Sequence, residues 1–229
     1  MIRAMLVVLF WIISIPAAAL VGFPWTIISR KIDFLYNTAM KIARAGVRLG
    51  GVKVEIIGLD RFDNQGTYIY MCNHVSNIDP PIVIPAIPKR TSVLVKKEVF
   101  RIPVLATAMR MGQLVPVDRT DRDSAINSLR KGREVLASGV NMTVFPEGTR
   151  SKTGKLLPFK KGPFYMALES GVSVVPMTIL GTKAIWAKGS FAIKPGTATV
   201  VFHAPIDPKQ YPDRDALMEA VHSTIASVM

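Results

Sequence analysis

Histidine and cysteine are the scarce reactive residues of this chain: three histidines and one cysteine in 229 residues. A lone cysteine excludes an internal disulfide and fits a reducing compartment. Zinc-ligand spacing is absent, as are RNP-like and Arg/Gly-rich tracts, and aromatic residues make up only 8%. Nucleic acid is therefore disfavoured as a partner. Acidic residues are also few, 16 against 29 Lys and Arg, which leaves a net charge of +13. That excess attracts polyanions, and with nucleic acid set aside an anionic membrane surface or an acidic, phosphorylated substrate remains. Internal repeats and low-complexity tracts are missing too. The longest absence is of charge itself, which disappears between Arg3 and Arg30.

What fills that gap is "AMLVVLFWIISIPAAALVGFPWTIIS", 26 residues without a formal charge. As a helix it would reach ~39 Å, more than the ~30 Å hydrocarbon core of a bilayer. Pro16 and Pro24 punctuate it. A membrane span, a kinked hairpin dipping into one leaflet and a cleaved leader ending near Ala17–Ala19 all match the pattern. Trp11 and Trp25 suit the interface, and Arg30-Lys31 marks a cytoplasmic flank. Read as a helix, residues 32–49 gather Ile32, Leu35, Ala39, Ile42, Ala43 and Val47 on one face and Lys41, Arg44 and Arg48 on the other. Such a basic amphipathic helix lies well on anionic lipid. Residues 1–49 are thus expected to form a membrane-association segment and residues 50–229 a separate domain, seated on the cytoplasmic face.

After Gly50-Gly51 the period changes to two, with Val52, Val54 and Ile56 alternating with Lys53 and Glu55. Further β-rich runs are "TYIYMCNH", "TSVLVKK", "GQLVPVDR", "NMTVFPEG", "SVVPMTIL" and "ATVVFHAPI". Helical patterns separate several of them, near residues 102–111, 123–138, 164–170 and 214–227. Strands alternating with helices predict an α/β domain with a central, mostly buried β-sheet flanked by helices.

Chemistry concentrates where strands end. In "CNHVSNIDPP", His74 follows an apolar strand and Asp79 stands five residues on. A histidine titrates near neutrality and can take a proton from an attacking alcohol, and a neighbouring carboxylate would hold its tautomer. Asp79 before Pro80-Pro81 also reads as a helix N-cap, and one carboxylate has oxygens for both tasks. "FPEGTRS" follows a second apolar strand, where glycine admits close backbone approach and Arg150 can fork onto an oxyanion. Asp118-Arg119 and Lys160-Lys161-Gly162 extend the same cationic rim. Cys72 and His74 share one side of a strand, so a covalent Cys-His mechanism is a rival reading. His203 and His222 read as structural or solvated.

"NHVSNID" and "FPEGTRS" in this order resemble the signatures of the glycerolipid acyltransferases, the PlsC-like or 1-acylglycerol-3-phosphate (lysophosphatidate) acyltransferase family. "VKKEVFRIP", "GQLVPVDR", "FKKG" and "VVPM" follow the family order, so the resemblance spans residues 73–177. It departs at Val99, where leucine is usual, and at Pro116, inside a motif that often reads Phe-Ile. The resemblance implies direct acyl transfer from acyl-CoA or acyl-carrier protein to lysophosphatidate, with no cofactor and no metal. His74 would be the base and Asp79 its support. Arg119, Glu147, Gly148, Thr149 and Arg150 would bind the acceptor and its phosphate, aided by Lys96 and Lys161. Val175, Pro176 and Met177 would lie on the acyl side. The alternatives are glycerol 3-phosphate or another lysolipid, such as a lyso-ornithine lipid, as acceptor, and a non-enzymatic protein that merely holds anionic membrane.

Overall fold

A computed structural model describes residues 1–118 and 121–229. Two helices, α1 (Ile2–Ser29) and α2 (Asp33–Leu49), precede an alternating region. That region runs β1 (Val52–Ile57), β2 (Ile69–Cys72), α3 (Asp79–Ala86), β3 (Thr91–Lys96), α4 (Pro103–Met111) and β4 (Val115–Val117). It continues with α5 (Arg122–Ala137), β5 (Asn141–Val144), α6 (Gly162–Ser170), β6 (Val174–Leu180) and α7 (Thr182–Ile185). β7 (Gly196–Phe202) and α8 (Arg214–Ala226) complete the order. β2 to β6 fall inside runs expected from the sequence, whereas β1 extends one residue beyond its run, to Ile57, and β7 begins two residues before its run, at Gly196.

The seven strands form one sheet in the order β1-β7-β6-β2-β5-β3-β4. β6, β2, β5, β3 and β4 are mutually parallel, while β7 turns antiparallel to β6 and carries β1 beside it. Alternation explains why both faces are covered. In β2, Tyr70 and Cys72 enter the core shared with α1, α2 and α3, whereas Ile69 and Met71 enter the core shared with α5, α6 and α8. A strand buried on both faces reads as an unbroken apolar run, as "IYMC" does. Pro116 is accommodated in β4 because β4 is an edge strand, paired with β3 alone, where a missing N–H costs no ladder bond.

The proline punctuation of the amino end does not break the helix: α1 runs unbroken through Pro16 and Pro24. It is long and apolar enough to cross a membrane, and only 17% of its most apolar window is buried within the fold. Its buried side is specific. Ala4 and Val7 join the core beside Val47, and the Trp11 indole N–H donates to the Ile42 carbonyl at 3.3 Å. Gly46 makes that crossing possible, since a Cβ there would run into the Trp11 ring.

Candidate active site

Parallel strands put their carboxyl ends on one rim, which is where open α/β sheets build their sites. His74 follows β2, Phe145–Arg150 follow β5, Lys96 ends β3, Asp118 follows β4, and Thr182 follows β6. Asn73 pins the end of β2 to β6: its amide donates to the Ile179 carbonyl at 3.0 Å and accepts from the Ile179 N–H at 2.7 Å.

Asp79 is fully buried, so its charge needs partners, and it has four. Oδ2 lies 2.7 Å from His74 Nδ1 and accepts the backbone N–H groups of Val75 and Ser76, each at 2.7 Å. Oδ1 accepts the Thr182 hydroxyl at 2.6 Å. Neither oxygen caps α3: Asp79 is the first residue of that helix, Ile78 is its N-cap, and no side chain caps it. The expected double role therefore resolves into one, since the turn before the helix turns the carboxylate back on His74. With Nδ1 engaged, His74 keeps Nε2, which no hydrogen bond occupies among the described residues. The imidazole is 15% exposed and stacks on Phe145, ring centroids 4.3 Å apart.

Glu147 sits beneath this pair rather than on the rim. It is buried, and its two oxygens accept the N–H of His74 at 2.6 Å and of Leu157 at 2.9 Å. Burial pushes its carboxyl up to about 7, against the pull of those donors. Gly148, in the left-handed region at φ 68°, closes the turn that brings its N–H to the Phe145 carbonyl. The Ser151 N–H donates to the His74 carbonyl at 2.8 Å, so the Glu-Gly-Thr-Arg loop is stitched to the histidine along its length. Lys188 reaches over to it, donating to Thr149 Oγ1 at 3.2 Å and to the Arg150 carbonyl at 3.0 Å. On the other side the Ser76 hydroxyl donates to the Trp186 carbonyl at 2.5 Å.

The remaining expected residues are more dispersed. Lys96 pairs with Glu98 at 3.3 Å at the end of β3. Lys161 is exposed at the start of α6; the Arg214 hydrogen bond chiefly lowers the Asp215 carboxyl, and the Lys161 charge adds to it. It is Lys160 that lines a cavity of about 240 Å³ beside Phe145 and Gly148. Val175, Pro176 and Met177 are buried in β6 against Tyr70, Met71 and Cys72. Arg119 lies outside the described residues. Cys72 is fully buried, and desolvation pushes its thiol well above the usual range, so it makes a poor nucleophile. His203 is held by the Thr178 hydroxyl at 2.9 Å, and His222 lies against the Phe159 ring.

A larger apolar cavity, about 400 Å³, opens between α1, α2 and α4. Its walls include Ile15, Phe23, Ile42 and Leu105, and it ends against Asn77 and Pro80 of the loop that carries the His74–Asp79 pair. Nothing in the residue spacing pointed to this cavity or to Thr182, because their partners are remote in the chain.

A family model described as Acyltransferase matches residues 53–180, from β1 to the end of β6. The chain belongs to this acyltransferase family. Among similar members, a 1-acyl-sn-glycerol-3-phosphate acyltransferase of Cocos nucifera is 39% identical over 139 residues, 60% of this chain and 45% of the relative. One of Limnanthes alba is 35% identical over 185 residues, 80% of this chain and 64% of the relative. The chain thus spans between 45% and 64% of these two curated relatives. The crystal structure of the 1-acyl-sn-glycerophosphate (LPA) acyltransferase PlsC from Thermotoga maritima superposes with a TM-score of 0.82 at 27% identity, covering 99% of this chain and 95% of that one. The acyltransferase fold of that protein includes counterparts of nearly the whole chain, α1 and α2 among them.

Proposed function

We propose that this acyltransferase moves a fatty acyl group from acyl-CoA or acyl-carrier protein to the free hydroxyl of 1-acylglycerol 3-phosphate, making phosphatidate. The observation that carries the reading is the His74–Asp79 pair at 2.7 Å with Nε2 left open at the rim. Nε2 takes the hydroxyl proton as the oxygen attacks the thioester carbonyl. The tetrahedral intermediate then expels the thiolate, which recovers the proton from His74. Asp79 keeps the proton of neutral His74 on Nδ1 and stabilises the imidazolium that forms between the two steps. A thioester is already activated, so this chemistry calls on no cofactor.

Glu147 acts in this reading by positioning His74 through the backbone, while Thr149 and Arg150 offer the acceptor phosphate its polar contacts. The apolar cavity that ends at Asn77 and Pro80 takes an acyl chain. α1 seats the protein in a membrane and α2 turns its cations to the lipid surface on the cytoplasmic side, so a lipid acceptor reaches His74 without leaving the bilayer.

The test supplies detergent-purified wild type and His74→Ala with acyl-CoA and lysophosphatidate and follows thiol release and phosphatidate together. Phosphatidate from wild type and none from a folded mutant is the expected outcome. Equal product from both proteins would end the assignment of His74. No thiol release with either donor across lysolipid acceptors would return the chain to the non-enzymatic reading.

A further inference from the structure

We infer that a groove between α2, α3 and β1 holds one anionic glycerophospholipid drawn from the bilayer, at a site separate from the His74 rim. The inference rests on the membrane seating proposed above and not on acyl transfer. The groove is about 450 Å³, within the ~300–1,000 Å³ of ligand-sized sites. Arg44, Arg48 and Lys53 line it together with an apolar floor that includes Val54, Ile56, Ile82 and Pro85. Cations above exposed aliphatic carbon are the two halves of a phospholipid's complement: phosphate for the first, acyl chain for the second.

Arg44 and Arg48 stand one helical turn apart on α2, where like charges repel. Among the described residues neither makes an ion pair with a carboxylate, whereas Lys53 is paired with Glu55 at 2.8 Å. Arg44 donates to the Pro85 carbonyl at 2.5 Å, which holds its guanidinium against the α3 wall. An anion bridging the two arginines would turn that repulsion into attraction. The floor is equally unpartnered. Val54 and Ile56 are 36% and 44% exposed on an edge strand, since β1 pairs only with β7. Charged Lys53 and Glu55 on that edge oppose the addition of another strand, which disfavours a second copy of the chain as occupant.

Position decides the source of the lipid. α2 packs against α1 on one flank and forms the groove with the other, so the groove lies about one helix diameter, ~10 Å, from the helix that carries the exposed apolar surface. A bilayer phospholipid can enter it sideways. Its far wall, α3, begins with Asp79, so an occupant braces the helix that aims the carboxylate at His74.

The experiment uses the full chain in mixed micelles containing phosphatidylglycerol with a photoactivatable diazirine in one acyl chain. After irradiation, labelled peptides are mapped by mass spectrometry. Label on peptides covering 44–56 and 81–86 is expected, displaced by unlabelled phosphatidylglycerol and not by phosphatidylcholine. Arg44→Gln/Arg48→Gln should lose that label about tenfold, and Arg44→Lys/Arg48→Lys should keep most of it. Ile56→Glu, on an exposed strand face, should lose it too and guards against a misfolded double variant. His74→Ala should label like wild type, so a failure of the catalytic reading leaves this result standing. Label confined to α1, or displaced equally by phosphatidylcholine, overturns the site. Displacement by inorganic phosphate alone would make it a free-phosphate site, and a concentration-dependent dimer without label would assign the groove to a second copy; either overturns the lipid.

Discussion

His74 owes its geometry to a carboxylate that is itself held by three further donors. Asp79 spends both oxygens inside the fold, and one of its four donors comes from Thr182, far along the chain on the next strand's exit. Thr182→Val should leave that oxygen bare and let the carboxylate swing, lowering kcat about tenfold with little change in acceptor KM. Thr182→Ser should restore the rate, which steady-state kinetics on the three proteins would show. Glu147 carries a pH signature. Its carboxyl is raised from 4.5 to about 7, so the native state binds more protons than the unfolded chain between those values. The stability this group contributes is therefore greatest at the acid end of that window and falls as pH rises through it. In Glu147→Gln that slope should vanish. At the same time the amide NH₂, turned towards the Leu157 N–H, should cost ~1–3 kcal/mol at every pH. Denaturant midpoints at about pH 5 and about pH 8 would show both effects.

Elements divide the labour by burial. β2, β5 and β6 are sealed on both faces and serve as rigid posts for the loops at their carboxyl ends. α1 and α2 instead leave a cavity between them and α4, because small residues such as Ala18, Ala39, Ala43 and Ala108 line it. If an acyl chain fills that space, Ala108→Leu should shorten the chain the enzyme prefers. Each methylene turned out of the cavity forfeits ~0.8 kcal/mol, about fourfold in affinity. A competition among acyl thioesters of graded length would show the preference moving down; an unchanged preference would place the acyl chain elsewhere.

If α1 seats the protein in a membrane as proposed, the whole molecule's net charge of +13 and the exposed apolar helix act on different steps of that association. Charge steers the approach and is screened by salt, whereas apolar burial holds what has arrived. Association with vesicles rich in phosphatidylglycerol should therefore slow about tenfold between ~0.05 and ~0.5 M KCl, while dissociation barely changes. Stopped-flow energy transfer from the protein's tryptophans to a labelled lipid would separate the two rates.

Sequence alone determined the alternation of strands and helices and the charge-free amino end, and it suggested the pairing of His74 with Asp79, since all rest on local period or on a spacing of five residues. It could not determine that Asp79 forgoes capping, because that depends on which N–H groups the preceding turn presents. Nor could it place Glu147 under the histidine, choose Lys160 over Lys161 at the cavity, or bring Thr182 to Asp79. Those contacts join residues 73 to 103 positions apart, or hang on the phase of a helix start. Only the packing of β2 between β5 and β6 brings such distant residues together, because adjacent parallel strands deliver their ends to one rim whatever lies between them in the chain.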